Sequence, residues 1–405
     1  MKTKSQTTNI ARWSTSLAAA SLLIFVTMGS ADAHPDSVSG EAFGASANAA
    51  GATVTKTPDA VLPPGGGMAA DAVLSVGVPN VLATDTLTAI TSGGISESAS
   101  AQSLATVEQV NILNGLITAD AVVPISSSRG DAITATSDAA GSTLLGLVVN
   151  GVRLGDVTPA PNTRIDIPGV GTVILNEQTQ SGDGVGTSAL TVNMIHVVLR
   201  DPQTGTITGD IIVGSAQSGV TFLPFVPAWA VEVPPSPTPC VFYTGGGKIQ
   251  NPTNSRDYGT FGFNASGRHD ATNPTNCGPQ GLQLEYDDHQ PAPNRLMVHG
   301  TDVTSFSETS NPATACGSKP IVKFTGPARV NQNNAGWVDG FSYEVDACDV
   351  QEPGVGHDAF RIIVRNSGGD VIYDSCIPGF PACGGSGTGT KNPVLVGGNI
   401  QRHVQ

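Results

Sequence analysis

The sequence predicts an all-β protein built from two sandwich-like domains. Short runs rich in Val, Ile, Leu and Thr recur along the chain, separated by Gly, Pro, Asn and Asp, which are turn-forming residues. Their lengths fit strands better than helices. Composition also changes near residue 235: no Phe, Tyr or Trp occurs between Gly44 and Thr221, whereas all six cysteines lie beyond that point. These observations predict two domains with differently built cores.

Two segments set the predicted boundaries. Residues 1–33 contain basic residues, an apolar run from Leu17 to Met28 and the triplet Ala-Asp-Ala, which together are typical of a secretory signal peptide cleaved before His34. The apolar run is too short to predict a membrane span. The stretch "VEVPPSPTPC" contains a stiff Pro-rich linker at residues 231–239. We therefore expect a first domain at 34–230 and a second at 240–405.

In the first domain, strands are predicted at "LLGLVVNG", "GTVILNEQ", "ALTVNMIHVVLR" and "GDIIVGSAQSGV". The stretch from Ser100 to Ile117 is less clear and is compatible with a short helix. Small side chains supply little apolar area each, so this domain is expected to depend on backbone pairing across a large sheet.

In the second domain the alternation is clearer. In "GLQLEYDD", Leu282, Leu284 and Tyr286 share one face while Gln283, Glu285 and Asp287 share the other, which predicts a half-buried antiparallel strand. Similar strands are predicted at "GTFGFNAS", "RLMVHGTDVTSF", "PIVKFTG", "GFSYEVDA", "FRIIVRN", "DVIYDS" and "PVLVGGNI".

An even number of cysteines in an exported chain predicts disulfides, although six cysteines allow about 15 pairings. No closely spaced pair of CxxC units is present, which argues against a structural zinc site. The pairings that we expect are Cys376 with Cys383, around "IPGFPA", Cys316 with Cys348, and, by elimination, Cys240 with Cys277.

The charge balance excludes two classes of partner. The chain has 19 Lys and Arg against 33 Asp and Glu, a net charge of −14. It therefore lacks the basic surface that binds nucleic acid or anionic lipid, and we expect no membrane contact after signal cleavage.

Several strings carry a family resemblance. "SGEAFG", "VEQVNILNGLITADAV", "VILNEQ" and "TGDIIVGSAQSGV" resemble the bacterial choice-of-anchor P family over most of residues 39–220. "GTFGFNAS" and "VNQNNAGWVDGFSYEVDACDVQEPGVGHDAFRIIV" resemble the small domain that commonly follows it. The resemblance implies an exported bacterial protein, either extracellular or associated with the envelope. The final residues "VGGNIQRHVQ" contain no LPxTG string, so we expect release or noncovalent retention at the surface.

One acidic stretch, "DACDVQEPGVGHDAFRIIV", is the main candidate site. Asp349, Glu352 and Asp358 offer carboxylates to a calcium ion within one loop, although the EF-hand pattern is missing. The simpler interpretation is a turn in which Asp358 accepts backbone N–H groups. Hydrolysis by these residues with His357 requires that at least two of them converge on one substrate atom. The sequence contains no GxSxG, HExxH or P-loop motif.

We therefore expect a noncatalytic extracellular or surface protein with a structural or adhesive role and no cofactor, with a calcium ion at the acidic stretch as the open alternative. Its partner is unidentified; an envelope polymer and self-association are the two options. The alternative is a carbohydrate- or polymer-binding module that uses an exposed platform of Trp337, Tyr343 or Tyr286.

Overall fold

The computed structural model describes residues 34–131, 133–223, 240–266, 269–270, 273–277, 283–290, 294–309, 316–379 and 387–404. Within these ranges the chain forms strands and no helix, which confirms the all-β prediction and leaves no described helix to cross a membrane. Residues Asp32–Gln405 form one compact unit. The signal peptide and the linker lie outside the described ranges, and the two domain boundaries stay a prediction.

Sheet 1 is six-stranded and antiparallel, and its first strand pairs with its last along the chain. The hairpin after the first strand has a two-residue turn, Ala50 and Gly51, with φ of 52° and 79°, as a type I′ turn requires. The sheet comprises β1 (His34–Ala49), β2 (Ala52–Val61), β13 (Thr163–Ile167), β14 (Gly171–Gly182), β15 (Thr187–Arg200) and β16 (Ile207–Leu223) in the order β13-β14-β15-β16-β1-β2.

Sheet 2 is ten-stranded and is organised around one long strand, β7. The stretch for which a helix was considered forms this strand instead, because β7 pairs along one edge with β6 and β5 and along the other with β9 and β8. The sheet comprises β3 (Gly67–Val73), β4 (Val76–Val78), β5 (Leu82–Thr84), β6 (Leu87–Ile95), β7 (Ala99–Ile112), β8 (Ile117–Val123), β9 (Ile125–Gly130), β10 (Ala135–Asp138), β11 (Thr143–Val149) and β12 (Val152–Val157).

Sheet 3 contains a closed ring of eight strands, because β22 (Leu296–Gly300) pairs both with β21 (Gln283–Asp288) and with β24 (Ile321–Gln332). We call it the barrel-like sheet. Its ring order is β22-β21-β18-β17-β28-β26-β25-β24, with β23 and β27 added at its edges. The strands are β17 (Val241–Asn251), β18 (Asn254–Ser266), β21 (Gln283–Asp288), β22 (Leu296–Gly300), β23 (Ser305–Thr309), β24 (Ile321–Gln332), β25 (Trp337–Cys348), β26 (Ala359–Arg365), β27 (Val371–Asp374) and β28 (Asn392–Val404); β19 (His269–Asp270) and β20 (Asn273–Cys277) form a separate ribbon.

Sheet 2 contacts sheet 1 on one face and the barrel-like sheet on the other. A Cβ atom at Gly44 of β1 would lie 2.6 Å from Leu87 of β6, and one at Gly262 of β18 would lie 2.3 Å from Ile90 of β6. Leu87 and Ile90 point to opposite faces of β6, because side chains alternate along a strand. Glycine therefore permits close approach on both sides, and β6 is buried throughout except at its last residue.

The two largest apolar clusters of the described residues form separate cores, beside four smaller clusters. One lies between sheets 1 and 2 and consists mainly of Ala, Val, Leu and Ile. The other fills the barrel-like sheet and is aromatic, with the rings of Phe261 and Phe360 stacked at a centroid distance of 3.9 Å. The predicted faces of β21 are confirmed for Leu284 and Tyr286, which point into this core. The opposite face is buried too, so the strand is not half-buried as predicted.

Candidate functional site

The candidate site is a cleft of about 740 Å³ where sheet 2 meets the barrel-like sheet. We call it the interface cleft and define it by Glu108, Tyr258, His289, Arg295 and Asn334. Glu108 belongs to the even-numbered face of β7, the face on which Ser100 contacts Thr244 of β17. The other four residues come from the barrel-like sheet and its loops. The cleft is therefore built from both regions of the chain.

A chain of ion pairs crosses the interface cleft. Glu108 Oε1 lies 3.0 Å from His289 Nδ1, and Glu108 Oε2 accepts a hydrogen bond from Arg295 Nη1. Arg295 Nη2 donates to Asp287 Oδ2 at 2.9 Å. The side chains of His289 and Asp287 are each 1% exposed, so these contacts are shielded from water. Breaking any of them would leave a buried polar group unpaired.

The ion pairs of the interface cleft stabilise the charged forms of Glu108 and Arg295. Burial would raise the pKa of Glu108, but the hydrogen bond to His289 and the charges of His289 and Arg295 outweigh burial, so the pKa lies below its ordinary value. Burial would lower the pKa of Arg295, but Asp287 and Glu108 outweigh it and the pKa is raised. Each group is stabilised in its charged form. This arrangement suits binding and structure better than proton transfer.

Both ring nitrogens of His289 are engaged. Nδ1 faces Glu108, and Nε2 lies 3.0 Å from the hydroxyl oxygen of Thr260. The ring also stacks on Tyr258 at a centroid distance of 4.5 Å. A histidine held in this way has no nitrogen left for a metal ion or for a substrate proton.

Tyr258 lies at the bottom of the cleft with an unsatisfied hydroxyl. The residue is 1% exposed, and its hydroxyl oxygen has no hydrogen-bond partner among the described residues. Lys248 Nζ lies 4.6 Å from the centre of the Tyr258 ring, and burial lowers the pKa of this lysine to about 8. Arg295 Nε is also buried without a partner in the described part of the chain. Both groups are buried beneath the cleft, so they lack a partner without being accessible to a ligand.

The rim of the cleft is polar. The guanidinium group of Arg256 lies 2.7 Å from Asp120 and 3.0 Å from Asp156, and these three side chains are exposed. Asn334 Nδ2 donates to Thr86 Oγ1 at 3.1 Å. Both contacts join the barrel-like sheet to sheet 2. The rim carries charges of both signs, so it does not select strongly for a charged ligand.

The acidic stretch forms a hydrogen-bonded turn. Asp358 is fully buried; its Oδ1 accepts the N–H of Val350 at 2.8 Å and its Oδ2 accepts the N–H of Ile400 at 2.9 Å. Asp349 Oδ2 accepts the N–H of Arg402 at 2.9 Å. These bonds fasten the loop to β28. They are the backbone contacts that the turn interpretation predicts.

Glu352 and His357 complete that loop. Glu352 Oε1 accepts a hydrogen bond from Asn399 Nδ2 at 3.2 Å, and its Oε2 lies 3.3 Å from Arg129 Nε. His357 is exposed and lies 3.4 Å from the Gln351 amide. Asp358 is bonded to the backbone, so it does not orient His357 as a base. No group of three or more His, Cys, Asp or Glu that could hold a metal ion is found among the described residues. Calcium binding by Asp349, Glu352 and Asp358 stays a prediction.

One predicted disulfide is confirmed. Cys316 and Cys348 are bonded, with a Cα–Cα distance of 5.9 Å, and fasten the segment before β24 to the end of β25. Cys240 and Cys376 each take part in a disulfide as well. The expected pairs Cys376–Cys383 and Cys240–Cys277 involve side chains outside the described part, so these two pairings stay predictions.

The expected aromatic platform is not assembled. Tyr286 is 0% exposed and Tyr343 2% exposed, because both point into the barrel-like core, so neither can stack on a ligand at the surface. Trp337 is 38% exposed, and the Arg329 guanidinium lies 5.0 Å from the centre of its ring. The three residues do not share one exposed face.

Sequence reasoning missed the interface cleft. His289 follows two aspartates in "YDDHQ", and such a cluster at a strand end was a visible signal. Its partner Glu108 lies 181 positions away, and no local pattern connects the two.

The fold and the cleft define an all-β protein in which two regions enclose a charged, water-accessible groove. No family model, curated protein or solved structure matches the chain.

Proposed function

We propose that this chain is an exported, noncatalytic structural or adhesive protein of the bacterial cell surface or extracellular space. The observation that carries the proposal is that the titratable groups of the interface cleft and the acidic loop bond to one another or to the backbone. Glu108, His289 and Arg295 form a closed network, and both oxygens of Asp358 hold backbone N–H groups. Such groups stabilise a rigid body.

Export is supported by the signal-like residues 1–33 and by the disulfide, which is typical of oxidising compartments. The resemblance to the choice-of-anchor P family points the same way and is part of the proposal.

The test of this function is fractionation of the producing cells into cytoplasm, envelope, chelator wash and medium. The protein is expected outside the cytoplasm with its amino terminus at His34. Full-length protein confined to the cytoplasm would contradict export. A covalently attached envelope form would contradict release or noncovalent retention.

We also propose that residues 34–230 and 240–405 are two domains joined by the linker 231–239, with sandwich-like packing in the first. Separate cores between sheets 1 and 2 and inside the barrel-like sheet support this division.

Binding of an envelope polysaccharide in the interface cleft is the second candidate function. The exposed polar rim formed by Arg256, Asp120 and Asp156 favours it, because these groups can donate hydrogen bonds to, and accept them from, a ligand rich in hydroxyl groups. The probe is soluble polysaccharide released from the producing cell's envelope, measured by calorimetry. Wild-type protein is expected to bind, and Arg256→Ala, which removes the exposed guanidinium group of the rim, to bind more weakly. Equal binding by both would place the ligand elsewhere.

A structural calcium ion at the acidic loop is tested by adding calcium to protein pretreated with a chelator. A rise in melting temperature that Asp358→Ala abolishes would support the ion. If the melting temperature of the wild type does not change, the loop is a hydrogen-bonded turn without a structural calcium ion.

A further inference from the structure

A second buried ionic cluster lies at one end of the barrel-like sheet, apart from the ion pairs of the interface cleft. Lys391 Nζ lies 2.8 Å from Asp257 Oδ1 and 2.9 Å from Asp288 Oδ1. The side chains of Lys391 and Asp288 are 0% exposed, and that of Asp257 is 8% exposed. A primary amine is therefore held against two carboxyl groups in a site closed to bulk water.

The backbone fixes the amine in this place. Lys391 donates its N–H to Ser375 O at 3.0 Å, and Lys391 O accepts the N–H of Ile377 at 3.0 Å. Asp257 belongs to β18 and Asp288 ends β21, two strands that pair with each other. The three reactive groups thus come from three segments that the sheet holds in register.

The charges in this cluster do not balance as a simple ion pair. One ammonium group faces two carboxyl groups, and a second ionised carboxylate would be a buried charge without a counterion, which is costly. Burial raises the pKa of Asp288, and Tyr373, whose hydroxyl is 2.6 Å from that of Tyr286, adjoins it. Burial would also raise the pKa of Asp257, but the hydrogen bonds from Lys391, Asn251 and Thr390 together with the charge of Lys391 outweigh it, and the pKa is lowered. Asp257 and Asp288 therefore differ in role: Asp257 is favoured as the ionised partner of the ammonium group, and Asp288 is the more readily protonated of the two carboxyl groups.

We propose that Lys391 Nζ and Asp257 Cγ condense to an isopeptide bond, with Asp288 as the group that carries protons between them. The ammonium group first gives a proton to the Asp257 carboxylate, Asp288 donates its own proton to the Asp257 carbonyl oxygen, and the freed lone pair of Nζ attacks Cγ of Asp257. The C–N bond forms, and one C–O bond of Asp257 breaks.

The reaction balances without a further reactant. Of the three hydrogens on the ammonium group, one stays on the amide nitrogen. The other two balance the hydrogens that leave with the departing Asp257 oxygen as one water molecule: one passes directly to Asp257, and one replaces the proton that Asp288 gives, so Asp288 ends in the protonation state in which it began. No oxidant or cofactor is needed.

The surroundings favour condensation. The product replaces two buried charges with a neutral amide, which removes the cost of holding both away from water. A cavity of about 440 Å³, lined by Tyr373, Thr388 and Thr390 among others, adjoins the cluster and offers an exit for the released water. The bond would join β18 to the start of β28, two strands separated in the ring by β17. A covalent link across three strands would resist unfolding from either end.

The test is mass spectrometry of the full purified chain after reduction of its disulfides. The intact mass is expected to be one water molecule below the mass of the same sequence without the bond. Trypsin cleaves after Arg256, so Asp257 begins a peptide; this peptide should be found joined to one that contains an uncut Lys391. Lys323 is the internal control, since it pairs with Glu344 at 2.6 Å but is 44% exposed and should be cleaved normally.

The variant Asp288→Asn keeps both bonding partners and removes the proton carrier, so its mass is expected to show no loss of water. A wild-type chain of full mass with normal cleavage after Lys391 overturns the proposal, and this result does not depend on whether the variant folds. A link from Lys391 to Asp288 in place of Asp257 overturns the assignment of roles.

Discussion

Glu108 and His289, 181 positions apart, meet at 3.0 Å between Oε1 and Nδ1. Glu108 is carried by the central strand of sheet 2, and His289 follows β21 of the barrel-like sheet. The pair therefore joins two regions of different composition. Arg295 extends it by bonding Glu108 and Asp287 at once. The stability of the whole protein should depend on these contacts.

Replacing Arg295 with alanine tests this dependence. The change leaves Asp287, which is 1% exposed, without its cation, and we expect the free energy of unfolding to fall by about 3–5 kcal/mol. Urea denaturation measures the effect. Arg200→Ala is the matched control, since Arg200 is exposed and its side chain donates to Gly205 O at 3.1 Å rather than to a buried carboxylate; its effect should stay within about 0.5 kcal/mol. Equal small effects for both variants would show that the network does not support the fold.

Tyr258→Phe is expected to stabilise the protein by about 1 kcal/mol, because it removes a buried hydroxyl that has no partner in the described structure. Tyr286→Phe is the matched control: the Tyr286 hydroxyl lies 2.6 Å from that of Tyr373, so its removal should cost about 1 kcal/mol. Opposite signs in thermal or urea unfolding support the assignment. Destabilisation by Tyr258→Phe would mean that the hydroxyl has a partner in solution.

Lys248→Met should also stabilise the protein. Burial lowers the pKa of this lysine from 10.5 to about 8, so at pH 7 the folded protein holds a desolvated ammonium group. Removing it is expected to raise the free energy of unfolding at pH 7 by about 3 kcal/mol. The loss of the cation–π contact with Tyr258 reduces this gain. Lys323→Met, at a half-exposed and ion-paired lysine, should bring no such gain.

The pH dependence of the Lys248→Met effect has a defined sign. Between pH 8 and pH 10.5 the unfolded chain still binds the Lys248 proton while the folded protein has released it. The wild type therefore gains stability with rising pH in this window, and its difference from Lys248→Met should shrink. A difference that stays constant from pH 7 to pH 10 would contradict the lowered pKa.

The fold class could be predicted because the pattern of apolar runs and turn residues is local. The predicted strands from Leu144 to Val220 and from Gly259 to Ile400 agree with the structure at nearly every segment, and the pairing of Cys316 with Cys348 is confirmed. The interpretation of β7 was ambiguous because its Ala, Ser and Thr residues have no clear periodicity. Its strand conformation follows from pairing partners on both edges, which only the folded chain brings together.

The burial of charged residues could not be predicted in the same way. Alternation in β21 correctly predicts which side chains share a face, but polarity does not show whether that face is covered. Glu285 is buried, and its Oε2 lies 2.6 Å from His299 Nδ1. Asp287 is also buried and forms an ion pair with Arg295. These partners lie on a neighbouring strand or loop, so the half-buried prediction was wrong for a nonlocal reason. The cleft was missed for the same reason.

The acidic loop should make the protein less stable as pH rises from 5 to 8. Burial raises the pKa of Glu352 and of Asp358 to about 7, so between pH 4 and pH 7 the folded protein binds protons that the unfolded chain has released. Stability contributed by the protonated carboxyl groups is therefore present at low pH and is lost as pH passes 7.

Glu352→Gln, which removes one of the two groups, should flatten the decline in melting temperature while leaving the backbone bonds of Asp358 in place. Asp370→Asn, in an exposed turn beside Asn366, is the control and should not change the slope. If the wild type instead gains stability from pH 5 to 8, the two carboxylates are ionised and stabilised in the folded loop, and a bound cation would then be the next partner to seek.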